Sequence, residues 1–193
     1  MSEDRHTVGM AALRRLGGPD VAEPVVAAAD IAPDLVRFAI EFAFGEVLSR
    51  PGLEMRTKEL CTVAALAALH HPVSQLAWHR QAAQYVGAAP AEIDEACRIA
   101  RACTGLATDD SQESNALDEA TRALVTVAAL TASGRDRPAL AEQMKTALSA
   151  GISRELVVQV LEQMAVYAGF PAALNGVAVA REVFRAADPV APR

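Results

Sequence analysis

Leu60-Cys61-Thr62-Val63-Ala64-Ala65-Leu66-Ala67-Ala68 returns without a gap as Leu124-Val125-Thr126-Val127-Ala128-Ala129-Leu130-Thr131-Ala132, an offset of 64 residues from Leu60 to Leu124. Outward from this core, Leu76-Ala77 returns as Leu140-Ala141, Ala83 as Ala147, Gly87 as Gly151, and Gly105-Leu106 falls opposite Gly169-Phe170. Alanine identities carry little weight in alanine-rich helices, but the glycines, the threonine and the shared turn positions carry more. The chain therefore reads as two copies of one helical unit. Each helical hairpin has an apolar face that it cannot bury alone, so the copies are predicted to pack on each other about a pseudo-twofold axis.

Everything around the repeat also reads as helix. Residues 1–30 hold the breakers Gly17, Gly18, Pro19 and Pro24 around a short helical stretch from Gly9 to Leu16. A helix follows from Asp34, read as its N-cap, through Phe44, and Arg50-Pro51-Gly52 ends it. Further helices are predicted at Glu54–Leu69 and Val73–Val86, with His70-His71-Pro72 between them and Gly87 as a C-cap. Another restarts at Pro90, where proline suits a first turn. Thr108 to Asn115 lacks an apolar period and reads as a linker. The last helices fall near Leu117–Ala132, Ala139–Ala150, Arg154–Tyr167 and Ala172–Ala186. The domain reading is residues 1–107 for the N-terminal helices and first repeat, 108–116 for the linker, and 117–193 for the second repeat. The fold class is all-α.

Composition narrows the function classes. Aromatic residues make up 4% of the 193, so Ala, Val and Leu must fill the core. A net charge of −6 with scattered Lys and Arg argues against a nucleic-acid partner. Cys61, Cys97 and Cys103 form no CxxC pair, which argues against a disulfide scaffold, a structural zinc site or a dithiol redox centre. They read as small apolar thiols in helix cores. The beginning, MSEDRHTVG, has no apolar signal segment, and no uninterrupted apolar run approaches ~20 residues. No membrane partner and a cytoplasmic location are the expectation. Neither GxGxxG, GxxxxGK[ST] nor G-x-S-x-G occurs.

The candidate chemistry lies in the first repeat. Glu59 stands in an otherwise apolar helix, His70 and His71 at its end, and His79 in the next helix. A carboxylate and an imidazole converging across that helical hairpin would make a proton-transfer pair. The second repeat has Ala123 opposite Glu59, Gly134 and Arg135 opposite the two histidines, and Gln143 opposite His79. Blander readings stand beside this one. Glu59 with Arg56 or Lys58 could form a solvated helix face, the two histidines could answer a helix dipole, and His79 could be structural. The HHxxxxxxxH spacing fits no standard metal-ligand pattern, so no metal is expected. Tyr167 and Asn175 flank a Gly-Phe-Pro turn, where both could hydrogen-bond a ligand or where Phe170 could plug the core.

Ala165-Val166-Tyr167-Ala168-Gly169-Phe170-Pro171-Ala172-Ala173-Leu174-Asn175, with Ala180-Arg181-Glu182-Val183-Phe184, resembles the closing segment of the carboxymuconolactone decarboxylase family. Gly9-Met10, the stretch Ala43 to Leu53, and Arg56 through His79 resemble its opening, and Gly87 closes that match. The resemblance implies an alkylhydroperoxidase-D-like helical fold with two tandem repeats. It also implies a homo-oligomer with sites between subunits, a trimer for a fused double copy. The namesake activity implies a cofactor-independent carboxy-lyase acting on a small anionic substrate, a carboxylated lactone like 4-carboxymuconolactone, in aromatic-compound breakdown. His79 would then be the general acid/base and Glu59 its partner. His71 and Arg56 would bind the substrate carboxylate, and Tyr167 would hydrogen-bond the oxyanion. The peroxidase branch of the superfamily carries a CxxC where this chain has His70 to Gln75, so dithiol peroxide reduction is not expected. The double copy and the longer His-His-Pro turn depart from the single-copy decarboxylases. They leave room for a relative that tautomerises or cyclises another metabolite, or for a non-catalytic ligand-binding protein.

Overall fold

The 64-residue offset governs the helices as well as the residues. In the computed structural model, which describes residues 4–70, 73–105 and 115–187, α4 spans Met55–Ala68, α5 Val73–Tyr85 and α6 Pro90–Cys103. Their counterparts are α7 Glu119–Ser133, α8 Arg137–Ser149 and α9 Arg154–Tyr167, followed by α10 Gly169–Ala187. The first residues of the three pairs, Met55 and Glu119, Val73 and Arg137, Pro90 and Arg154, all stand in the register that Leu60 and Leu124 share. The turns repeat too. Gly134 ends α7 in the left-handed conformation at φ +63°, and His70 ends α4 in nearly the same one at φ +53°. A side chain there costs about 1 kcal/mol relative to glycine, so the first repeat carries a histidine where backbone geometry prefers none.

Ahead of the repeats lie α1 (Arg5–Arg15), α2 (Pro19–Ala27), a 3₁₀ turn (Ala28–Asp30) and α3 (Pro33–Phe38), which runs into a ten-residue π-helix, Ala39–Leu48. Three expectations are corrected here. Pro24 breaks no helix but sits inside the nine-residue α2, close enough to its start that one lost backbone bond is tolerated. Ala32, not Asp34, is the N-cap of α3; Pro33 opens the helix and Asp34 pairs instead with Arg37. The last helix begins at Gly169 rather than Ala172, because Gly169 at φ +84° turns the chain within one residue of Ala168.

The two central helices, α4 and α7, pack on each other and on the outer helices of both repeats, giving the mutual packing that two fused copies require. Leu60, Val63, Ala64, Leu124, Val127 and Ala128 are among the residues of this core. Small side chains let the helices approach closely, as the few aromatics led us to expect. A second cluster, built from Leu13, Leu16, Phe44 and Leu48, joins the N-terminal helices to Ala82 of α5. The α1–π-helix crossing in this cluster is close: a Cβ on Gly9 would lie 2.0 Å from the Ile40 carbonyl oxygen. Of the expected linker, 108–116, residues 108–114 lie outside the described residues.

Candidate active site

α4 is apolar on nearly every face and is covered on nearly every face, so its charged residues go inside with it. Lys58 and Glu59 are both buried, and the reading of Glu59 as part of a solvated face is corrected. A buried charge must find partners. Lys58 Nζ donates to the carbonyls of Leu48 and Arg50, tying α4 to the end of the π-helix. Burial first, and the Arg50 charge second, push the Lys58 pKa down to about 8.

Glu59 Oε2 meets Nδ1 of His79 at 2.8 Å, across the α4–α5 hairpin, with both side chains buried. Its other oxygen, Oε1, is buried without a partner. With an ionised carboxylate and a neutral imidazole, Nδ1–H donates to Glu59 and Nε2 carries the lone pair. Trp78 packs edge-on against the imidazole at 4.5 Å between centroids, and Tyr167 does so at 5.2 Å. These contacts fix the ring plane.

The imidazole borders a cavity of about 440 Å³. Gln75, Trp78 and His79 of α5 line one side, and Val166 and Tyr167 at the end of α9 line another. The rest of the wall is apolar, with Val25 of α2, Leu35 and Val36 of α3, and Phe44 of the π-helix among its residues. The site is thus built between the first repeat, the end of the second and the N-terminal helices. Sequence reasoning brought together Glu59 and His79 and gave the cavity Tyr167, but it did not single out Trp78, Lys58 or the apolar wall.

The remaining candidates are distributed elsewhere. Arg56 is ion-paired with Glu92 at the start of α6 and does not line this cavity. His71 lies outside the described residues. The Tyr167 phenol has its pKa raised, first by burial and then by the Glu59 charge, while a hydrogen bond with the Thr62 hydroxyl opposes both. Thr62 also accepts from Gln163 Nε2 at 2.8 Å. Tyr167 lines the cavity and holds its ring edge-on to His79. Asn175 is not beside it but borders a separate small cavity with Thr131 and Asp136. Phe170 does not plug the core; it is exposed and stacks on Phe42 of the π-helix at 5.8 Å.

The cysteines are free thiols. Cys61 is pushed up to about 12, mainly by burial and further by the Glu59 charge, and Cys103 to about 11 by burial first. Such thiols are poor nucleophiles. Among the described residues no three His, Cys, Asp or Glu side chains converge as metal ligands.

The sequence profile of the Carboxymuconolactone decarboxylase family matches the chain twice, over residues 33–109 and again over 99–182. The chain belongs to this family. The two matches overlap over residues 99–109 and give a tandem member, in agreement with the helix register. No individual curated protein matches it. In this family member the repeats differ at the site itself: Ala123 is buried at the place of Glu59, Gln143 replaces His79, and Cys103 stands at the place of Tyr167. Among the described residues no helix is long and apolar enough to cross a membrane.

Proposed function

We propose that the protein is a cofactor-independent acid–base enzyme of the carboxymuconolactone decarboxylase family, with one active site per chain. His79 moves a proton at a carbon next to a carbonyl, and Glu59 orients the imidazole and stabilises its protonated form. The observation that carries this reading is the buried Glu59–His79 pair at the cavity wall, with Nδ1 taken by the carboxylate and Nε2 left for a ligand. Proton transfer and charge stabilisation are sufficient for the namesake decarboxylation.

The reference assay is turnover of 4-carboxymuconolactone generated in situ, followed by lactone loss and carbon dioxide release. Turnover that falls at least about 100-fold in His79→Ala supports the lyase reading. Undiminished turnover by folded His79→Ala and Glu59→Ala proteins overturns the assignment of both residues. In this reading His71 holds the substrate carboxylate, since Arg56 is held by Glu92.

A second reading, in which the same pair tautomerises or cyclises another metabolite, is favoured by the wall of the cavity. Its described residues include no Lys or Arg, whereas a carboxylated lactone needs a cationic partner once water is excluded.

A homo-oligomer, and for a tandem chain a trimer, belongs to the proposal. Ile31, Leu35, Phe38 and Phe42 are all exposed at spacings of four, three and four, and Phe170 and Leu174 are exposed on α10. Leu35 also borders the cavity. An apolar surface of this kind is typical of an interface. Light scattering coupled to size exclusion measures the assembly. A cytoplasmic location is consistent with three unpaired thiols.

A further inference from the structure

We infer that the side-chain amide of Gln75 is the hydrogen-bond donor that holds the substrate's carbonyl oxygen while His79 moves a proton on the neighbouring carbon. This rests on the acid–base reading above and adds to it the residue that binds the reacting group.

Three observations carry it. The first is placement on α5. Gln75, Trp78 and His79 all line the cavity, and steps of three and four residues from Gln75 put them on one face of the helix. Gln75 stands one turn ahead of His79, a spacing that sets their Cβ atoms about 5–6 Å apart. Helical side chains lean over the turn that precedes them, and for His79 that turn holds Gln75. A carbonyl compound with its α-carbon at Nε2 therefore has its oxygen within reach of the amide.

The second observation is availability. Of the four polar residues described at the cavity, Gln75, Trp78, His79 and Tyr167, Gln75 is the exposed one. Trp78 Nε1 is buried, His79 Nδ1 is taken by Glu59, and the Tyr167 hydroxyl has Thr62 beside it. Among the described residues the Gln75 amide has no hydrogen-bond partner. Capping does not account for it either. A glutamine third in its helix, as Gln75 is in α5, would bond back to the N–H of the residue before the helix; that residue is Pro72, which has none.

The third observation is the second repeat. Ala139 stands opposite Gln75, in the same register that sets Ala123 opposite Glu59 and Gln143 opposite His79. The amide is present in the copy that has the acid–base pair and absent from the copy that lacks it.

The chemistry balances within the site. His79 Nε2 takes the proton from the carbon next to the carbonyl, and the C–H electron pair forms the enolate. The enolate oxygen accepts from the Gln75 N–H more strongly than the neutral carbonyl did, so the bond favours the transition state. Glu59 holds the imidazolium until the proton returns to carbon.

The probes are 2-tetralone, a ketone with acidic α-hydrogens that suits a cavity of about 440 Å³, and 2-naphthol, the stable aromatic counterpart of its enol. The full-length protein, labelled with ¹⁵N, is titrated with each, and the side-chain resonances missing from Gln75→Leu identify the Gln75 amide. We expect that amide to move downfield to saturation with both probes. Deuterium exchange at the ketone's α-carbon is followed alongside, with thermal melting of each variant as the check on folding. Gln75→Leu is expected to lose about 100-fold in kcat, the lower end for one oxyanion donor, with KM changed less than about threefold. Gln75→Glu keeps the shape, but its carboxylate only accepts and repels the enolate, so it should lose at least as much. An amide that shows no saturable shift with either probe overturns the role of Gln75. So does His79-dependent exchange that Gln75→Leu or Gln75→Glu leaves at the wild-type rate. A shifting amide with exchange equal in wild type and His79→Ala overturns the acid–base reading and leaves Gln75 as the residue that binds the carbonyl oxygen.

Discussion

Replacing Glu59 by Gln separates what its charge does from what its shape does. The amide keeps the size of the side chain and can still accept the Nδ1–H of His79 through its oxygen, so the tautomer and the ring position survive. What is lost is the attraction between a carboxylate and the imidazolium that forms when His79 takes a proton. The 2.8 Å contact puts the two charge centres roughly 4 Å apart. At the effective dielectric of about 20 that suits protein sites, this attraction is worth about 4 kcal/mol. Each ~1.4 kcal/mol of barrier is a factor of ten, so kcat/KM is expected to fall roughly 10³-fold. The assay is α-proton exchange on 2-tetralone under kcat/KM conditions, with circular dichroism as the control for folding. Glu59→Ala is expected to fall further, because the imidazole also loses its orienting acceptor. A fall of less than about tenfold in folded Glu59→Gln refutes the reasoning, since no buried charge separation of that size could then accompany the reaction.

Two further predictions concern the frame around the site. Gly9→Ala would place a methyl group 2.0 Å from the Ile40 carbonyl oxygen and force α1 off the π-helix. A cost of about 2–3 kcal/mol is expected, seen as a fall of roughly 5–10 °C in the melting temperature of a chain this size; a change below ~1 °C would mean the crossing is looser than described. Lys58, with its pKa lowered from 10.5 to about 8, gives a pH signature. Between these two values the unfolded chain binds the extra proton, so stability rises with pH from about 8 towards 10.5. The urea midpoint of wild type is expected to climb across that window more than that of Lys58→Met. Parallel profiles would show that the lysine is not buried in its charged form.

The fold was legible because its signals are redundant. The 64-residue offset, the glycines at matching turns and the apolar helices all point to the same two units. The Glu59–His79 pair was legible for a related reason: two polar residues interrupt helices whose copies carry Ala123 and Gln143 at the same places. The rest of the site was not, because it is made by packing. Val25, Leu35 and Phe44 read as ordinary core residues, and only the approach of the N-terminal helices to α5 makes them a cavity wall. Trp78 is distinguished by a missing acceptor, which no sequence displays. Lys58 could have been found: a helix that is apolar all round must bury the charges it carries, and it carries two in succession. Pro24 and Asp34 misled because both have strong local preferences that short, tertiary-packed helices override.

Duplication explains why the site could take this form. In a symmetric pair, any polar group placed for chemistry would be buried twice, and each buried copy would carry its own desolvation cost. Here the second repeat has the small Ala123 where the first has Glu59, and its α7 fills the middle of the core with little but Ala, Val and Leu. It also lends the first repeat groups it does not need itself. Gln163 of α9 donates to the Lys58 carbonyl and to Thr62 on α4, and Tyr167 reaches the face of His79. Their counterparts in the first repeat are Ile99 and Cys103, which carry neither an amide nor a phenol. One copy therefore acts as scaffold and polar brace for the other. Gln163→Leu tests this division of labour: it should loosen α4 around Glu59 and lower kcat with little change in KM. The reciprocal change, Ile99→Gln, would offer α7 a polar brace at the same place and should leave turnover unchanged, because α7 has Ala123 where α4 has Glu59 and so carries no carboxylate for it to position.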